Sequence, residues 1–233
     1  MIVLETLARR WYVVGFLVLY LAASVPERGW PATIRFWLLA TVVAFAAEYS
    51  STRNGFPFTH YRYTELTRGA ELYLSNVPAF VPASYAIMIY AGRSLGGRIA
   101  RAPAGLRLVV AGAIATMALD VVVDPIAVRG AHWFLGDLFR YAQADFFGVP
   151  FGNFAGWVLV AAVVIALDLL LGGRHERRVP VRGVGLASVV LAFNVLIGLV
   201  IGATIAVLVS TLASMAILLA LRVLRPSNQG VPS

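Results

Sequence analysis

The chain has no cysteine. Disulfides, thiolate nucleophiles, iron–sulfur clusters and cysteine-ligated zinc are therefore excluded. Lysine is absent as well: all 19 basic residues are arginine, which removes Schiff-base chemistry. Charged residues make up 13% of the chain, against about 25% in soluble domains. His60, His132 and His175 are the three histidines, and they lie in three separate segments. A di-iron oxygenase or desaturase, which needs a histidine cluster, has no ligand set here. No glycine-rich phosphate loop, GxSxG or HExxH motif occurs either.

What is present is hydrocarbon. Apolar residues make up 60% of the 233, and the mean hydropathy is +0.83. This is the composition of a polytopic membrane protein, since soluble domains run near 45–50% apolar. The net charge of +8 would suit a nucleic acid. The arginines flank apolar runs, however, where they anchor spans to phospholipid, so membrane lipid and not nucleic acid is the expected partner.

Windows of about 17–25 apolar residues mark spans. They fall at 8–25, 32–49, 78–93, 106–124, 152–171, 184–201 and 203–221. The expected fold is all-α, a transmembrane helical bundle of about seven spans, with one integral membrane domain over 1–225 and a disordered polar tail over 226–233. The segment WYVVGFLVLYLAAS after Arg9-Arg10 has the look of a signal peptide and is read as the first span. The last two windows form one long apolar run, with Gly198 and Gly202 as the expected turn. The loop with Arg93, Arg98, Arg101 and Arg107 shares a side with the loop carrying Arg174, Arg177, Arg178 and Arg182. That side is expected to be cytoplasmic in the cell membrane, which puts the N-terminus outside and the C-terminus inside.

Parity then gathers the unusual chemistry. The C-terminal ends of spans two and four and the N-terminal ends of spans three and five share one membrane face. Those ends hold Glu48, Pro78, Asp120 with Asp124, and Asn153. An acid inside hydrocarbon costs about 2.5–3.5 kcal/mol on insertion scales, so each one requires a reason. Asp120 and Asp124 are four apart and share a helix face, with Pro125 expected to end the helix. Two carboxyls together in an apolar setting cannot both ionise easily, so one is expected to keep a proton it can donate. The alternative is that both sit at the interface, solvated or paired with Arg129 or Arg140. Glu48 sits at a helix C-terminus, which the dipole disfavours, so it too should have a partner or a role.

Two long loops join the same ends. The first, GFPFTHYRYTEL, carries Phe56, Phe58, His60, Tyr61 and Tyr63. If extended, it places Phe56, Phe58 and His60 on one face and Pro57, Tyr61 and Tyr63 partly on the other. His60 is a candidate proton shuttle. The second loop and the span after it supply His132, Trp133, Phe134, Phe146, Phe147, Pro150, Asn153 and Trp157. Trp133 and Trp157 could wall a pocket whose ring faces stabilise a cation, and Asn153 could cap its helix or position a water. Asp168 lies at the other end of span five and is expected to pair with Arg174 or His175, outside any site. Asn194 is expected to bridge helices.

With these residues in view, a resemblance emerges. The run GFPFTHYRYTELTRGAELYLSNVPAFVPASYAIM resembles the PFGxYxY…VPxxxPxxW segment of the carotenoid 1,2-hydratase family of the CruF type, which includes the hydratases of the bacterioruberin pathway. The run DVVVDPIAVRGAHWFLGD…ADFFGVPFGNFAGW resembles that family's DxxxDPxxxxxGxW…YYGxPxxNFxGW segment. The two blocks cover residues ~45–160, about half of the chain. The sequence departs from the pattern at Thr59, where Gly is expected, at Thr67-Arg68 for Gly-Pro, at Tyr85 for Trp, and at Phe146-Phe147, where a tyrosine is common.

The resemblance implies addition of water to the C1=C2 bond of an acyclic ψ end group, on a carotenoid dissolved in the bilayer. No cofactor and no metal are implied. Asp124 or Asp120 would be the acid and the other its tuner, with Glu48 holding or deprotonating the water. Phe58, His60, Tyr61, Tyr63, Trp133, Asn153 and Trp157 would line the pocket. A second copy or other carotenoid enzymes are further expected partners. Two alternatives stay open. One is an intramembrane prenyltransferase using Asp120 and Asp124 as a DxxxD magnesium–diphosphate motif. The other is a carotenoid-binding subunit with no activity. A transporter fits less well, because the polar residues collect at one face.

Overall fold

The computed structural model describes residues 1–172 and 181–225. The arginine-rich stretch with Arg174, His175, Arg177 and Arg178 lies outside the described residues, as does the expected tail at 226–233. A short helix, α1 (Ile2–Arg9), leads into α2 (Trp11–Asn54). Then come β1 (Tyr61–Tyr63), β2 (Tyr73–Leu74) and β3 (Val77–Pro78), followed by α3 (Phe80–Ile99) and α4 (Gly105–Ala127). A 3₁₀ turn at Gly130–His132 and β4 (Phe139–Tyr141) precede α5 (Phe151–Gly172), α6 (Arg182–Val200) and α7 (Thr204–Ala220). Five helical stretches, α2, α4, α5, α6 and Thr204–Leu224, are long and apolar enough to cross a bilayer. The molecule is a helical membrane protein, with two small strand pairs added to the expected bundle.

α2 is two helical arms joined across a kink at Gly29. Gly29 adopts φ 76° and ψ 166°, a region that only glycine enters freely, between Pro26 and Pro31. The Tyr20 hydroxyl donates to the carbonyl of Thr33 at 2.8 Å, and the Tyr20 and Phe36 rings lie 6.4 Å apart. In a straight helix Tyr20 and Thr33 would be about 20 Å apart. The chain therefore turns back on itself at Gly29. Its two arms correspond to the first two expected windows.

The other boundaries moved for identifiable reasons. α4 runs through Pro125 to Ala127: the proline removes one N–H in the last turn, and the ladder resumes beyond it, where Val128 N–H reaches Asp124 O at 2.9 Å. The turn between α6 and α7 centres on Gly202, at φ 76°, whereas Gly198 stays inside α6 against Val207 and Ile126. Asn194 donates to Val190 O of its own helix at 2.9 Å, so it does not bridge helices as expected.

Asp168 is paired with Arg28 and Arg35, while its expected partners, Arg174 and His175, lie outside the described residues. Arg28 reaches its Oδ2 at 2.6 Å and Arg35 its Oδ1 at 3.1 Å. The turn at Gly29 delivers both arginines to the end of α5, which linear spacing could not show. At the opposite end Arg10 is buried against Glu71 at 2.8 Å and donates to Leu135 O at 2.7 Å. One side chain thereby ties the N-terminal helix to both long loops.

Candidate active site

The two loops meet as strands. β1 and β4 pair antiparallel, with Tyr61 opposite Tyr141 and Tyr63 opposite Phe139. Alternation sends Arg62 outward and buries Tyr61 and Tyr63. The ladder forms a lid over the ends of α2, α3, α4 and α5. Beneath it lies a cavity of about 170 Å³, lined by Glu48, Asp120, Asp124, Asn153 and a ring of aromatic side chains. The four ends that parity assigned to one face do converge here.

Two carboxyl centres face this cavity. Glu48, in the last turns of α2, is buried and accepts three tyrosine hydroxyls. Tyr61 and Tyr63 donate to its Oε2, the latter at 2.6 Å, and Tyr85 donates to Oε1. Burial, and then the neighbouring Glu48, hold the Tyr63 hydroxyl well above its usual pKa, so it remains a donor. The partner that the helix dipole led one to expect for Glu48 is thus a tyrosine cluster.

The second centre is the aspartate pair. The Asn153 amide spans it, donating to Asp120 Oδ2 at 3.1 Å and to Asp124 Oδ2 at 2.7 Å. The Tyr141 hydroxyl adds a bond to Asp124 Oδ2 at 3.0 Å. Burial, and then the aspartates, push the Tyr141 hydroxyl well above its usual range, so it too stays protonated. The buried Asp120 Oδ1 has no donor among the described residues. Two carboxyls that share one amide donor in an apolar setting cannot both ionise easily. Neither is paired with Arg129 or Arg140. Arg129 donates to Pro125 O and Phe147 O, and Arg140 to Asp137.

Aromatic rings supply the rest of the wall. Tyr85 stacks on Trp157 at 4.5 Å with an 11° interplanar angle, and Phe58 packs against both. α5 comes this close because residue 156 is glycine: a Cβ there would lie 2.5 Å from Phe58 Cδ1 and 2.7 Å from Pro57 O.

Of the predicted site residues, Glu48, Phe58, Tyr61, Tyr63, Asp120, Asp124, Asn153 and Trp157 line one cavity. Two predicted residues do not. His60 is exposed outside the lid, its Nδ1 3.2 Å from Ser51 O, because the β1 register turns it away. Trp133 donates to Ile126 O and lines a neighbouring cavity, because the 3₁₀ turn at Gly130–His132 carries it past the end of α4. The expected common face of Phe56, Phe58 and His60 fails as well: the chain turns at 56–58, leaving Phe56 exposed and Phe58 buried.

Tyr85 and Tyr141 were missed. Tyr85 stood out only as a departure from a motif, and its hydroxyl turns out to bond Glu48. Tyr141 alternates with Phe139 in sequence, but only the pairing with β1 aims it at Asp124.

The architecture is thus a helical membrane protein with two carboxyl centres enclosed by aromatic rings. The chain belongs to the carotenoid biosynthesis protein family, which it matches over residues 8–221. It is similar to the bisanhydrobacterioruberin hydratase of Haloarcula japonica, with 30% identity over 135 residues. That alignment takes in 54% of this chain and 41% of the hydratase, so the chain spans less than half of the relative's length. No solved structure matches.

Proposed function

We propose that the protein is a carotenoid hydratase, a hydro-lyase adding water to the C1=C2 bond of an acyclic ψ end group. One observation carries this reading. A buried aspartate pair bridged by one amide lines the same aromatic cavity as a glutamate held by three hydroxyls. An unactivated alkene needs a desolvated acid, a shielded cation and a water with a base beside it.

The protonated member of the pair gives its proton to C2, and the alkene π electrons form the new C–H bond. The aspartate is left as a carboxylate, and a tertiary cation stands at C1. The ring faces of Tyr85 and Trp157 shield that cation. Water oxygen bonds to C1, the surplus proton passes to Glu48, and its return to the aspartate pair closes the cycle. Asn153 holds the two aspartates in register throughout. The prenyltransferase alternative gains no support, because a diphosphate needs cationic side chains and, among the described residues, no arginine lines the cavity.

The test is expression in a lycopene-producing host, with mass analysis for added water. Asp120→Asn and Asp124→Asn are each expected to lower conversion about 10²–10⁴-fold. Full hydration by both variants would overturn the mechanism.

A further inference from the structure

A second cavity, of about 180 Å³, adjoins the first. The two share Ser84, Met88, Val123, Ala127 and Leu135 as wall residues, so one begins where the other ends. The second runs between the first arm of α2 and α6, past Tyr12, Phe16, Val190, Phe193 and Asn194. Among the described residues no charged side chain lines it. Its polar groups have partners within the protein. The Tyr12 hydroxyl accepts from Arg10, Ser84 donates to Val81 O at 2.7 Å, and Asn194 donates to Val190 O. What the walls offer an occupant is hydrocarbon and ring faces.

Its outer end lies on the lipid side. Phe16, Trp133 and Phe193 are only part-buried there, with Phe16 edge-on to Phe193 at 5.2 Å and Trp133 at 6.3 Å. Val189 and Leu196 beside them on α6 are exposed. The loop side of the first cavity, by contrast, is covered by the β1–β4 lid. A water-insoluble chain therefore has an apolar way in from the bilayer.

We infer that the second cavity is the channel for the polyene chain of the substrate, entered sideways between the first arm of α2 and α6. Ser84, Met88 and Ala127 form the passage through which the end group reaches the carboxyl centres. This rests on reading the first cavity as the acid site. Beyond the end group a conjugated chain is stiff and apolar, so it needs an extended apolar path, and the second cavity supplies one that adjoins the carboxyl cavity.

The test uses the full chain in lipid nanodiscs and two substrates with the same terminal group, lycopene and a short acyclic isoprenoid. Val190 lines only the second cavity, so Val190→Trp fills the channel and leaves the carboxyl centres in place. The ratio of kcat/KM for lycopene to that for the short substrate is expected to fall about tenfold, mainly through KM. An unchanged ratio overturns the channel. Should Val190→Trp fail to fold, Val190→Phe tests the same ratio.

A second readout does not need turnover. A lycopene analogue carrying a photoreactive group mid-chain is expected to label Phe16, Val190 or Phe193. Labelling only elsewhere overturns the channel, and so does equal labelling by a phospholipid acyl probe. A protein that labels these residues yet hydrates neither substrate keeps the channel and removes the hydratase reading.

Discussion

Thr59 has a backbone φ of 72°, in the left-handed region that β-branched residues avoid. Its hydroxyl is buried without a hydrogen-bond partner, and its methyl lies over Gly152. This is the position where the related sequences are expected to carry glycine, and the structure supplies the reason. Thr59→Gly is expected to stabilise the protein by about 1 kcal/mol, raising the midpoint of thermal unfolding in detergent by about 2–4 °C. A fall in that midpoint would mean that the Thr59 methyl contact outweighs the strain. The acids were legible one residue at a time, because an acid at the end of an apolar run has no cheap explanation. His60 and Trp133 were not, because a histidine or tryptophan near an interface looks the same in sequence whether it faces a site or lipid.

At the scale of elements, the apolar windows located the helices, and the gap between the windows at 8–25 and 32–49 fell on the break at Gly29. Gly29→Ala would force a Cβ into a conformation that costs about 1–3 kcal/mol, and the expected outcome is a corresponding loss of thermal stability. An unaltered midpoint would show that the hairpin tolerates a shifted turn. Asp168→Asn strikes the same hairpin from outside, by removing the carboxylate that Arg28 and Arg35 share. Breaking a buried pair in this way costs about 3–5 kcal/mol, so the variant should be less stable than Gly29→Ala under the same thermal scan. The strands escaped sequence reasoning. β1 and β4 are three residues each and nearly eighty positions apart, and only their pairing gives Tyr141 its direction. The same holds for the partners of Asp168, which come from another helix.

Across the whole molecule, the carboxyl cavity and the α3–α4 loop with Arg101 lie at opposite ends of the bundle. At the cavity end Arg10, Arg68 and Arg140 are paired with Glu71, Glu65 and Asp137. We propose that this end is the non-cytoplasmic one. Because the chain has no cysteine, single-cysteine labelling has no background. Gln143→Cys, beside the lid, is expected to react with a membrane-impermeant maleimide on intact cells. Ala104→Cys, between α3 and α4, should react only after permeabilisation. The reverse pattern would invert the topology.

By itself the sequence determined that this is a helical membrane protein and that Glu48, Asp120 and Asp124 gather toward one face. Span length and parity are one-dimensional quantities, and hydrophobic runs record them directly. Which hydroxyl bonds which carboxyl, that a second cavity adjoins the first, and that Arg28 and Arg35 meet Asp168 were decided only by the tertiary structure. Those facts depend on contacts between residues far apart in the chain, at separations of a few ångströms that no local pattern encodes.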